Sequence, residues 1–266
     1  MGGKVDYHIH TWFSDGAASP ASIVEQAKKH GYEKIAITDH DGTDGVKEAL
    51  EAGKKAGLEV IPGIELATET RDGVGLHILG YYIDIQNKLL KETLDDLKSK
   101  RETRNKRLLR LLADMGYPLS GEDLQMRPEQ NFIGKPVIAR ALVKKGYISK
   151  PKDAFKKGVL LESPQAKQIK KEKLETGQAI DIIRKAGGKA VLAHPIQIRE
   201  FGDPGSEAFY QKVEDLVCML KEEGLAGLEC YHKDHNQQQA ERFVQIAQGC
   251  GLWITCGSDF HDEKYE

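Results

Sequence analysis

"KVDYHIHTWFSDG", residues 4–16, reads as a short apolar strand that ends in two histidines and runs on to an aspartate. A core strand gains nothing from two imidazoles one residue apart, because buried polar groups cost free energy unless they are satisfied. Either His8 and His10 are incidental, or they hold something, with Asp15 just beyond. The rest of the chain repeats this pattern of an apolar run followed by a polar terminus. Strands are expected over 4–8, 34–39, 58–65, 75–83, 189–194, 225–231 and 252–258, seven in all. They are rich in Val, Ile, Leu and Ala without strict alternation, as in parallel strands buried on both faces.

Helical patterns fill most of the gaps. One opens with Ser19 as N-cap and Pro20 in the first turn, and stops before Gly31. Others run from after Thr43 to Gly57, from a Thr176 cap to Gly187, over 207–223, and over 237–250. Repeated βα units imply a parallel sheet with helices outside, and seven strands can close into a barrel. Residues 85–176 break the rhythm. Leu90, Leu94, Leu97, Leu108, Leu111 and Met115 fall at helical spacing on a long charged helix ending near Gly116. A turn-rich stretch follows, then a helix opened by Pro136 and stopped by Gly146, then a short one from Pro151. The expected organisation is a barrel from 1–84 and 177–266, with 85–176 as an inserted, mostly helical subdomain.

Composition fits a soluble globular chain: 266 residues, 39% hydrophobic and 30% charged. No apolar run approaches the ~20 residues of a membrane span, and no export signal follows Met1, so a cytoplasmic location is expected. Cys218, Cys230, Cys250 and Cys256 fit no zinc motif and are expected as reduced thiols. The overall charge of −2 conceals a division. Residues 85–176 carry 22 Lys and Arg against 12 Asp and Glu, the remainder 17 against 29. Two solvated surfaces of opposite bias would give this, and so would a basic lid over a site for anions.

The positions of the nine histidines decide what the barrel is for. His8 and His10 close the first strand, His40 the second, His194 the fifth and His232 the sixth, with His235 after it. His261 follows the seventh strand. His77 begins the fourth strand and is the exception. His30 ends a helix, where the dipole favours it. Glu65 ends the third strand and Asp259 the seventh. In parallel α/β folds the strand C-termini gather on one face, where catalytic groups sit. Imidazoles and carboxylates packed together without counter-charge are costly, and metal cations remove the cost. The donors exceed what one ion needs, so two or three are implied, with Glu65 able to bridge. Histidine with carboxylate favours zinc, manganese or iron over magnesium or calcium. Closely spaced ions turn a shared water into hydroxide near neutral pH and clamp attacked and leaving oxygens, which suits phosphate-ester hydrolysis.

"DYHIHTWFSDG", "ITDHD", "PGIEL", "LHILGY", "LAHP", "GLECYH" and "GSDFH", in this order, resemble the polymerase-and-histidinol-phosphatase (PHP) superfamily of metal phosphoesterases. The resemblance spans nearly the whole barrel and implies a distorted (β/α)7 barrel with a trinuclear site. The first metal would take His8, His10, Glu65 and Asp259. The second would share Glu65 and add His77 and His194. The third would take Asp15, His40 and His261. Some members carry histidine in place of Asp15. The insertion resembles the branch that removes the 3′-phosphate of nucleoside 3′,5′-bisphosphates, some members of which trim short RNA from the 5′ end. "FIGKPVIARALVKKGY" is similar to that branch's "RPHIARAL" stretch, with Lys135 for arginine and Val137 for histidine. Lysine keeps the charge and loses the two-pronged grip on phosphate.

Lys135 and Arg140 are therefore candidate substrate contacts, Arg140 being equally readable as a solvated helix residue. His232, outside the nine ligands, is a candidate for phosphate contact or leaving-group protonation. Ser14 is either a phosphate contact or a turn former. Glu65, Asp259 and His232 are the expected catalytic set, acting through a metal-bridging hydroxide. The expected activity is a nucleoside 3′,5′-bisphosphate or AMP-type phosphatase, or a 5′-3′ exonuclease on short RNA, so the expected partner is a phosphorylated small molecule, a nucleotide or short RNA, with no membrane and no obligate protein partner. A histidinol-phosphate or other small phosphomonoester phosphatase is the first alternative. A non-catalytic metal-bound module is the second, although such relatives usually lose ligands and all nine positions are filled here. An amide-hydrolysing barrel lacks its strand-end lysine. The resemblance also leads one to expect a closing helix beyond His261, after which five residues follow.

Overall fold

β1 (Lys4–Ile9) is followed by α1 (Pro20–Lys29), β2 (Tyr32–Ile37) and α2 (Val46–Ala56) in a computed structural model that describes residues 3–125 and 132–262. The turn-rich stretch expected after Gly116 lies partly outside the described residues. Local chemistry sets the helix limits. The Ser19 hydroxyl accepts from the Ser22 N–H and starts α1. Gly57, at φ 65°, takes the left-handed turn that ends α2. β3 (Glu59–Glu69) and β4 (Gly75–Tyr81) come next. Between β4 and the next strand, in the segment expected as an insertion, lie α3 (Lys88–Asp114), α4 (Gly121–Leu124), α5 (Lys135–Lys144) and α6 (Pro164–Gln168). The chain then completes the barrel with β5 (Leu174–Glu175), α7 (Thr176–Lys185), β6 (Lys189–Leu192), α8 (Glu207–Glu222), β7 (Gly227–His232), α9 (Gln237–Gly249) and β8 (Trp253–Gly257).

The sheet runs β1-β2-β3-β4-β6-β7-β8, which are the seven expected segments in their expected order. The His10 N–H donates to the Phe260 carbonyl at 2.9 Å and ties the last segment back to the first, so the barrel is nearly closed. β5, two residues long and beside β3, is too short to leave a periodic signal.

The strands are not all parallel, which corrects the sequence reading. β4 pairs antiparallel with both β3 and β6. The reason is the connection at 70–74, where the Thr70 N–H donates to the Val74 carbonyl. A turn of that length can form a hairpin, whereas a parallel crossover needs about a dozen residues or more. The reversal also explains His77: the start of β4 lies at the rim where the other strands end.

β4 therefore finishes at the opposite rim, where the Asp84 N–H donates to the Ala186 carbonyl at the end of α7. α3, 27 residues long and so about 40 Å, carries the chain back along the wall. Its Leu90 and Leu97 pack in the barrel core with Ile180 and Ile183 of α7. Further along, Leu108 and Leu112 belong to a separate core with Ile138, Leu142 and Leu161.

Two smaller corrections follow. α7 is capped by Glu175, whose carboxylate accepts from the Gly177 and Gln178 N–H groups, and not by Thr176. The Thr176 hydroxyl is directed instead at Thr68 of β3, 3.1 Å away. Cys218 and Cys250 form a disulfide with their Cα atoms 5.6 Å apart, so the four cysteines are not all reduced thiols. α8 and α9 pack together through Tyr210 and Phe243, and this juxtaposition of residues 32 apart is tertiary. Cys230 and Cys256 are free.

Candidate active site

Glu65 lies at the centre of the rim, fully buried, with imidazoles around both oxygens. Its Oε1 is 2.8 Å from His77 Nδ1, 3.0 Å from His194 Nε2 and 3.4 Å from His8 Nε2. Its Oε2 is 2.7 Å from His40 Nδ1 and 3.2 Å from His10 Nε2. On one side, Asp259 Oδ1 approaches His8 Nε2 at 3.4 Å and His10 Nε2 at 3.2 Å. On the other, Asp15 meets His261 at 3.1 Å and His40 at 3.7 Å. The nine sequence-nominated ligands thus share one cluster. Among the described residues, donor atoms within 4.8 Å of one another form four groups: His10 with Asp15, His40 and His261; His8 with His10 and Glu65; His40 with Glu65 and His77; and His8 with His232 and Asp259. His194 and Asp259 hold positive φ, 26° and 49°, as does Asp41 beside His40 at 45°. Such strain in non-glycine residues costs about 1–3 kcal/mol each and persists where surrounding contacts impose it.

The cluster fits metal ions on its own geometry. His8 Nδ1 faces Glu229 Oε1 at 3.0 Å and donates its proton there. In neutral His8 the Nε2 lone pair therefore points at Glu65, at Asp259 and at His10 Nε2, only 3.1 Å away. Lone pairs and carboxylates converging on one point need a cation between them. Glu65 Oε2 and Asp15 Oδ1 are buried without a hydrogen-bond partner although imidazole nitrogens lie close. The same contacts favour protonated imidazoles. Burial opposes charge on His8, yet Glu229 and Glu65 raise its pKa well above the usual value. His40 is likewise pushed up to about 10 against burial, by Glu65 and Asp15. Burial would raise Glu65, but His40, His77 and His8 hold it well below the carboxylate range. Divalent ions compete with these protons for the same lone pairs.

His232 behaves differently. The Asp234 N–H donates to its Nδ1 at 3.1 Å, so in the neutral ring Nε2 carries the proton. That Nε2 is buried, has no hydrogen-bond partner and lies 3.5 Å from Asp259 Oδ2. His232 is close enough to share an ion with His8 and Asp259, but its available atom is a donor. Ser14 is fully buried, and its hydroxyl donates to Asp39 Oδ1 at 2.5 Å and lies 3.5 Å from His10 Nδ1. It sits behind the cluster and not in front of it. His235 turns outward from the cluster, its Nδ1 against the Cys230 carbonyl.

A cleft of about 690 Å³ opens onto the cluster at Asp15, His40 and His77. The insertion supplies most of its cations: Arg101, Arg104, Lys135, Lys167, Lys170, Lys171 and Lys173, joined by Arg199. Arg140 is not among the lining residues. Arg104 and Lys171 were not singled out in the sequence, since on a helix and loop this rich in charge they look like solvated residues. Burial, with Arg101 adjoining, pulls the Arg104 pKa down to about 10, and its Nε is buried without a partner. Arg101 and Lys171 both reach Asp41 Oδ2, at 2.8 and 2.5 Å, while the Ala67 N–H donates to Oδ1. Burial raises the Asp41 pKa, but Lys171 and Arg101 hold it below the ordinary value. These contacts tie the middle of α3 and the segment after α6 to the loop after β2. Glu229 was also missed, although a carboxylate between Leu228 and Cys230 in an apolar strand was a visible signal.

A nearly closed α/β barrel whose strand ends converge on a histidine–carboxylate cluster, under a basic cleft, defines a metal-dependent phosphoesterase, a hydrolytic enzyme. The chain belongs to the PHP domain family, whose model matches residues 6–147. It is 30% identical over 258 residues to a 5′-3′ exoribonuclease of Haemophilus influenzae, covering 97% of this chain and 90% of the relative. It is 29% identical over 263 residues to a phosphoribosyl 1,2-cyclic phosphate 1,2-diphosphodiesterase of Eggerthella lenta, covering 96% and 93%. A 3′,5′-nucleoside bisphosphate phosphatase of Chromobacterium violaceum is 29% identical over 261 residues, covering 97% and 87%. Among solved structures, a Bifidobacterium adolescentis protein assigned to the metal-dependent phosphoesterases superposes with a TM-score of 0.83 at 34% identity, over 97% of this chain and 87% of that one. Among the described residues no helix is long and apolar enough to cross a membrane.

Proposed function

We propose that this enzyme hydrolyses phosphate esters of nucleotides, with nucleoside 3′,5′-bisphosphates and the 5′ ends of short RNA as its substrates. The observation that carries the reading is the basic cleft opening directly onto the cluster, because a substrate with two phosphates needs cations beyond those at the reacting one. His8, His10, Glu65 and Asp259 would hold one ion; Glu65, His77 and His194 a second; and Asp15, His40 and His261 a third. Bound there, divalent manganese, iron or zinc would acidify a water and neutralise the charge that phosphate brings. The chain's own residues do the rest. Arg104 and Lys135 grip a non-reacting phosphate, Arg104 with the planar fork that Lys135 lacks. His232, held with its proton on Nε2, donates to the reacting phosphate or to the departing oxygen. A second reading, opening of a cyclic sugar phosphate, is favoured by the similarity to the Eggerthella lenta diesterase.

The test is phosphate release by manganese-loaded protein from nucleoside bisphosphates, mononucleotides, a ribose 1,2-cyclic phosphate, histidinol phosphate and short 5′-phosphorylated RNA. The bisphosphate and RNA should turn over with the highest kcat/KM. Preference for the cyclic phosphate would establish the second reading, and preference for histidinol phosphate would overturn both.

A further inference from the structure

We infer that Glu229 is a positioning residue that sets the tautomer of His8 and so creates the donor atom this imidazole offers to a metal. The inference rests on the metal reading of the cluster above. Glu229 is fully buried in β7, and both of its oxygens are engaged. Oε1 takes the His8 Nδ1 proton at 3.0 Å, and Oε2 accepts the His194 backbone N–H at 2.7 Å. Glu229 thus touches a ligand from each of two proposed ion sites and belongs to none of the groups able to hold an ion.

The surroundings are built to keep it there. A Cβ on Gly257 would come within 2.2 Å of His8 Cβ and 2.4 Å of Glu229 Oε1, so β8 must carry glycine at this point. Glu229 is itself fully buried, as are its neighbours Leu228 and Cys230 on the other face of β7. An imidazole that ligates through one nitrogen must carry its proton on the other, and an acceptor facing that proton fixes which is which. For His8 the alternative tautomer would put a proton on Nε2, against the ion.

The carboxylate is required because it accepts twice. Glutamine at 229 can accept once and must turn its NH2 group toward the other N–H. With the amide oxygen kept on the His194 backbone, the NH2 would face His8 Nδ1. That nitrogen must then accept, and the proton moves to Nε2. Glu229→Gln, nearly the same shape, should therefore damage metal binding as much as Glu229→Ala does.

The experiment is zinc titration of wild type, Glu229→Gln and Glu229→Ala by calorimetry, together with long-range 1H–15N correlation spectra of the histidine rings in zinc-loaded protein. Wild type should show His8 protonated on Nδ1 with Nε2 ligated. Both variants should lose about 10–100-fold in affinity for one zinc equivalent while the others bind as before. Equal zinc affinity in folded Glu229→Gln would overturn the inference. If neither variant folds, the wild-type spectrum decides: His8 ligating through Nδ1, or protonated on Nε2, overturns the assignment. Turnover does not enter these readouts, so a failure of the proposed substrate leaves the result for Glu229 intact.

Discussion

At the scale of single residues, the histidine–carboxylate cluster was legible because most of its members lie at or just beyond strand ends, which a barrel brings together; Glu65, expected to end its strand, instead lies inside β3, which runs on to Glu69. Asp15 and His8 lie seven positions apart in sequence but face different donors, Asp15 with His40 and His261, His8 with Asp259 and Glu65. Asp15→Ala is therefore expected to lower bound metal by one equivalent in elemental analysis, and His8→Ala by one equivalent also. The double variant should lose two. Loss of only one in the double variant would mean that both residues serve the same ion. Sequence reasoning placed Ser14 as a phosphate contact or a turn former, and its burial against Asp39 shows why a serine beside a ligand is ambiguous. The direction of a hydroxyl depends on a partner 25 residues away. Glu229 escaped for a related reason. Its partners, His8 of β1 and the His194 backbone in the turn after β6, come from elsewhere in the barrel, so its double role exists only after the sheet has formed.

At the scale of elements, seven strand segments could be read from apolar runs and their Gly and Pro boundaries, yet their directions could not all be read that way. The length of the connection at 70–74 held the missing information, since only a hairpin fits it. The helix limits were read well where caps use local side chains, as at Ser19, and poorly where a side chain is engaged elsewhere, as at Thr176. The insertion is fixed by an element-to-element contact that the pattern of charges gave no hint of. Arg101 of α3 and Lys171 of the segment after α6 share Asp41. Asp41→Ala would leave Arg101 buried without its anion, with Lys171 half-buried beside it, and breaking a buried pair costs about 3–5 kcal/mol. Urea denaturation should register a loss of that size. A change below about 1 kcal/mol would mean that the insertion is held on by its apolar contacts and not by the triad.

At the scale of the whole molecule, the division of charge now has a location. Arg104, Lys135 and Lys171 of the basic segment line the same cleft as Asp15, Asp41 and Glu69 of the barrel, so opposite charges face each other across it. An anionic substrate entering between them is drawn by one wall, and the other wall needs cations before it can accept phosphate. KM for a nucleoside bisphosphate should therefore rise several-fold between about 50 and 300 mM salt, as screening shortens the Debye length, while kcat changes little. A kcat that falls with salt at constant KM would place the salt-sensitive contacts at the reacting phosphate.

The reversal of β4 has one more consequence. Because the chain leaves the barrel at the end away from the cluster, α3 acts as a ruler, graduated at 1.5 Å and 100° per residue. Leu90 and Leu97 set its zero against α7, and Arg101 and Arg104 are read off where it reaches the rim. Side chains along its outer face can change freely, but its count cannot. One residue more or fewer between Leu97 and Arg101 would swing both guanidinium groups about a quarter turn away from the cleft, without altering a single ligand.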